Sequence, residues 1–123
     1  MVTTDPVRRV RAYLASALGG TKVTTEVPSE ASNLASYVVV NPNGGAETDF
    51  LDMPSLLMDC HAATDVHAYD LARRVAALMR VMPDVDPFVS SVSTDAPYRN
   101  SWARSTTPAG HCYSVPCDMT INK

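Results

Sequence analysis

The stretch from Ser55 to Met82 constrains the fold most, because its apolar period changes from two residues to 3.6 without a break. In Ser55–Ala62, Leu56, Met58 and Cys60 fall on one face of an extended chain and Leu57, Asp59 and His61 on the other. That alternation predicts a strand with one dry face. Thr64 follows as a helix cap and Asp65 suits the positive end of the helix dipole. Ala68, Leu71, Ala72, Val75, Leu78, Met79 and Met82 then recur at three- and four-residue spacings, one stripe that can lie on a sheet. Pro83 is expected to stop this helix. Asp70 stands three and four residues before Arg73 and Arg74, which supports a solvated outer face.

With 123 residues the chain has room for one domain, 1–123, burying about two-thirds of the surface its unfolded form exposes. Ten basic and thirteen acidic residues give a net charge of −3, and no basic run is long enough to track a phosphate backbone, so nucleic-acid binding in the usual sense is not expected. No apolar stretch is long enough to cross a bilayer, and Met1–Asp5 lacks the charged and apolar regions of a signal peptide, so the expected site of synthesis is a cytoplasm. Cys60, Cys112 and Cys117 are an odd set without a Cys-x-x-Cys pair, which argues against a disulfide framework.

From the N-terminus, Asp5-Pro6 opens a helix whose stripe is Val7, Val10, Leu14, Ala17 and Leu18, and Gly19-Gly20 closes it. Arg8, Arg9 and Arg11 lie mostly off that stripe and read as a solvated face. Lys22–Val27 alternates and is rich in β-branched residues, a strand that ends at Pro28; Ser29–Ser36 is a polar loop. Tyr37–Val40 is a short, continuously apolar strand covered on both faces, and Asn41–Gly45 is expected to turn the chain. After the second helix, Asp84–Pro87 is a stiff connector and Phe88–Ser93 a modest strand. Asp95–Gly110 has no period of either kind and predicts a long loop or hairpin arm. In Cys112–Ile121, Tyr113, Val115, Cys117, Met119 and Ile121 share one face. Pro116 cannot donate to a ladder, so this strand is expected at a sheet edge, or bulged there. The predicted order α-β-β-β-α-β-β is an α+β fold, a mostly antiparallel sheet with two helices on one face.

The residues give little chemistry. The closest metal candidates are Cys60-His61 with His67, and His111-Cys112, but adjacent residues on a strand point to opposite faces, so neither Cys60-His61 nor His111-Cys112 easily supplies two ligands to one ion. The cysteines read as small buried hydrophobes. No nucleophile signature or phosphate-binding glycine loop is present, and Asp49, Asp52 and Asp59 read as loop and strand-rim carboxylates, with a calcium loop second. The expectation is a non-enzyme with no catalytic residues, no cofactor and no metal. In the long loop, however, Tyr98, Arg99, Trp102 and Arg104 combine residue types that dominate protein contacts. Either Trp102 folds back over one end of the core, or these side chains point outward to meet another subunit or partner.

The order of these pieces resembles the small tail terminator and tail completion proteins of long-tailed phages. The stretches that carry the resemblance are Asp5–Leu18, Val23–Pro28, Tyr37–Gly45, Leu56–Met82 and Pro97–Ile121. It implies a structural virion protein, assembled in the host cytoplasm, that forms a homo-oligomeric ring of six on the head-proximal end of the tail tube. There it would contact the tube protein, stop tube growth and offer a surface to head-tail connector or stopper proteins, with DNA passing through without sequence-specific binding. It also implies that the loop with Tyr98, Arg99, Trp102 and Arg104, and the strand with Pro116, lie near subunit or tube contacts. The alternatives are another neck protein, a connector or stopper, or, from a different class, a small α+β enzyme or ligand-binding domain with a polar-lined pocket.

Overall fold

The computed structural model describes residues 5–29, 34–100 and 110–122. Helix α1 spans Pro6–Leu18: Asp5 accepts from the N–H groups of Val7 and Arg8, Pro6 takes the first turn, and Gly19 leaves the helix at φ 65°. Strand β1 is Lys22–Thr24, β2 Ser36–Glu47 and β3 Leu51–Ala62; α2 runs Asp65–Val85; β4 is Val89–Thr94, β5 Tyr98–Arg99 and β6 His111–Asn122. The fold is α+β in the expected element order, with the two-residue β5 as an addition.

The sheet order is β1-β2-β3-β6-β4, with β5 also paired to β6. Only β1 and β2 run parallel. Both helices lie on one face. Val10, Leu14 and Leu18 of α1 and Leu71, Val75, Met79 and Met82 of α2 join one core with Val38, Val40, Leu56, Met58, Cys60, Val115, Cys117 and Ile121. Those sheet residues alternate along β2, β3 and β6, as the two-residue period requires.

Three expectations need correction. Asn41–Gly45 is not a turn: β2 runs through it, and the pairing with β3 slips by one residue between Pro42, opposite Leu56, and Gly45, opposite Pro54. Gly44 and Gly45 sit at φ 86° and 121°, so the positive φ that suggested a turn serves a bulge instead. The chain reverses later, where the Thr48 N–H donates to the Leu51 carbonyl at 2.8 Å and Thr48 Oγ1 accepts from the Phe50 and Leu51 N–H groups.

Pro83 does not stop α2, which continues to Val85. A proline forgoes only one helical hydrogen bond, and the stripe goes on burying Met82 completely beside it. Nor is β6 an edge strand, since β3 flanks it on one side and β4 and β5 on the other. Pro116 is tolerated because its nitrogen faces the gap between those two short strands. Its carbonyl on that flank accepts from Asp95, and Thr94 opposite Cys117 gives way to Tyr98 opposite Ser114 with one residue extra. The one-residue irregularity expected as the alternative is what this flank shows.

Candidate functional site

Of the residues singled out for contacts, Tyr98 and Arg99 form β5 at the base of the long loop and Pro116 lies on the neighbouring β6. Backbone bonds from Asp95 to Pro116 and from Asn100 to Cys112 hold the outgoing chain on β6. Arg99 Nη2 lies 2.8 Å from Asp65 Oδ2 and 3.3 Å from the Tyr113 hydroxyl, which itself donates to Asp65. These partners, Tyr113 first and then Asp65, raise the Arg99 pKa. Tyr69 meets Tyr113 edge-on at 5.2 Å, and Arg73 stands over Tyr69. Arg99 therefore ties the loop base to the first turn of α2, where the Asp65 carboxylate also suits the helix dipole. Tyr98 is exposed and Pro116 half-buried inside the sheet. Trp102 and Arg104 lie outside the described residues.

The sheet face away from the helices carries a polar network that local sequence could not reveal. The ring of His61 stacks on Tyr37 at 4.5 Å, and its Nε2 lies 3.8 Å from Cys112 Sγ across the β3–β6 ladder. Beside it, Asp59 accepts from Ser114 Oγ at 2.6 Å and from Asn41 Nδ2 at 2.9 Å, while Asn100 donates to Ser114. Asp59 is thus an interior hydrogen-bond hub and not a rim carboxylate. A thiol beside an imidazole suits nucleophilic chemistry when the thiolate and imidazolium form. Here burial, and then the Asp59 carboxylate, push the Cys112 thiol up to about 12, and burial lowers the His61 pKa against the opposing pull of Asp59. The pair is neutral, so it offers no activated nucleophile at ordinary pH. Cys60 and Cys117 are also buried, as small hydrophobes are, with their thiols pushed up by burial. Among the described residues no group of three His, Cys, Asp or Glu side chains is placed to hold a metal ion. Asp49 and Asp52 are near the arm tip, some seven to ten residues from Asp59 along an extended strand, roughly 23 Å or more, so they do not converge with it.

Two surface features were not read from sequence. The outer half of the β2–β3 hairpin is an arm attached along one side: Leu51 and Asp52 of β3 stay paired with Asn122 and Ile121 of β6, while the β2 strand and the turn are open. Pro42–Phe50 are exposed throughout, and Phe50 at its tip is 80% exposed. Strand β1 covers the outer edge of β2 only from Tyr37 to Val39. The second feature is the arginine face of α1, which is not simply solvated. Arg9 is half-buried, pairs with Asp86 at 2.6 Å and stands over the Phe88 ring. Around it, Val81, Val85 and Phe88 remain exposed near the end of α2. Within the described residues no helix is long and apolar enough to cross a membrane. No model of a known protein family matches the chain, and no curated protein matches it.

Proposed function

We propose that this chain is a structural subunit that assembles into a ring closing the head-proximal end of a phage tail tube, as its resemblance to tail terminators implies. The observation that carries the reading is the exposed outer part of β2 and its turn to β3, whose strand edge no other strand covers among the described residues and whose tip bears a phenyl ring. Exposed strand edges and apolar anchors are costly on a solitary domain and useful in an assembly. The polar face of the sheet supports the same reading, since its cysteine and histidine are held neutral. Six copies on the tube would present their outer surface to connector or stopper proteins while DNA passes through the ring. Adding the purified chain to elongating tail tubes encoded by the same genome tests this. Growth should arrest, with density capping one tube end in electron micrographs; unchanged elongation and bare ends would contradict it.

A further inference from the structure

Charge is segregated on this surface. Helix α1 holds three arginines and no acidic residue, whereas from Asn41 to Cys60 the chain holds Glu47, Asp49, Asp52 and Asp59 and no arginine or lysine. The arginines line an open groove of about 810 Å³ between α1 and the end of α2, with Tyr13, Val85 and Pro87 among its walls. Its floor is fixed, because Arg9 is locked onto Asp86 and Phe88, and the Tyr13 hydroxyl donates to the Leu78 carbonyl at 2.5 Å. Its rim is open: the Arg8 side chain is 78% exposed, with a 3.6 Å surface pairing to Asp5, and Arg11 is exposed while its Nη1 donates to the Val23 carbonyl at 3.4 Å.

We infer that this groove receives the β2–β3 arm of a second copy, with Phe50 on the apolar wall at Val85 and the carboxylates of Glu47 and Asp49 facing Arg8 and Arg11. The arm complements the groove, one large aromatic flanked by acids against an apolar wall at Val85 and Pro87 rimmed by Arg8 and Arg11, with Arg9 and Asp86 neutralising each other on the floor. Aromatic anchors set in a charged rim are the usual form of a contact that carries binding energy and steers approach. The two surfaces are different parts of the chain, so the contact is heterologous. Each copy gives an arm to one neighbour and takes one from the other, and a rotation that closes makes a ring. This inference identifies the interface of the ring proposed above and rests on that reading.

The test uses the full chain with Phe50→Cys and Val85→Cys together, treated with a short bismaleimide. The native cysteines are all buried, so labelling is confined to the introduced positions. The doubly substituted chain should give a ladder of covalent oligomers ending at a closed ring, and neither single substitution should. Arg8→Glu with Arg11→Glu should abolish the ladder, and adding Glu47→Arg with Asp49→Arg should restore it, all five chains melting within a few degrees of one another. No ladder, a link within one monomer, or a ladder indifferent to charge reversal would overturn the contact. So would dimers formed by Phe50→Cys alone, which require a reciprocal pairing. A link from Val85→Cys to the tube protein, with none between copies, would give the groove to that partner and equally overturn it. The two readings fail separately: tails of uncontrolled length in a gene-disrupted lysate, without a ladder, discard this contact and leave the terminator reading standing, whereas normal virions discard the ring reading itself.

Discussion

At the scale of single residues, Arg9 leaves solvent with its guanidinium 2.6 Å from Asp86, far along the sequence, and over the Phe88 ring. A buried pair of this kind gains little net stability over an apolar replacement, yet it fixes where α1 sits against the end of α2. His61 is a second buried polar group, with its Nδ1 unpartnered. Burial lowers its pKa in the folded protein, whereas the unfolded chain takes the proton near its ordinary value of about 6.5. The unfolded state therefore binds more protons in the window below that value, and stability falls as pH drops through it. His61→Phe keeps a ring on Tyr37 and removes the titration. Urea melts at a series of pH values should show the wild-type chain losing up to about 1.4 kcal/mol per pH unit more than the variant below about pH 6. Parallel acid limbs would contradict this. That the cysteines are buried hydrophobes was legible in the apolar strands around them. That Cys112 and His61 meet was not, because the register between β3 and β6 is decided by distant pairing.

At the scale of elements, periodicity was a good guide wherever burial enforced it. Apart from Ala17, which is exposed, both helix stripes and the β3 alternation are the residues found in or against the core, because a one-residue slip would turn a whole face into water. Elements lost their sequence signature where burial stops. The arm is exposed on both faces, so nothing in its composition imposes a period of two, and Asn41–Gly45 carries the residues of a turn while serving as a bulge. The same gap in burial hid the candidate contact surface, which is built from two segments distant in sequence. Gly45 is the position on which the arm depends. A Cβ there would fall on the Met53 carbonyl oxygen and 2.7 Å from Pro54 Cα, at a φ of 121°. Gly45→Ala should cost about 2 kcal/mol or more and loosen the arm, seen as faster amide exchange from Ala46 to Asp52 with the core unchanged. Gly44→Ala meets no atom within 4 Å at φ 86° and should cost only about 1 kcal/mol. Equal effects at the two glycines would contradict the bulge.

At the scale of the whole molecule, the sheet is covered by helices on one face, carries a polar network on the other, and exposes one acidic, aromatic-tipped hairpin end. The α+β class and the element order were legible because they follow from local stripes and strand lengths. The interior position of β6 was not, since Pro116 reads as an edge signal unless the short, broken flank of β4 and β5 is known. A molecule of this shape fits the ring subunit proposed for the end of a tail tube. The most direct measurement is electron microscopy of a lysate from the parent phage with this gene disrupted. The account predicts tails of uncontrolled length beside full, tailless heads. Tails of normal length that fail to join heads would assign the chain to a connector or stopper, and fully normal virions would contradict the assembly reading altogether.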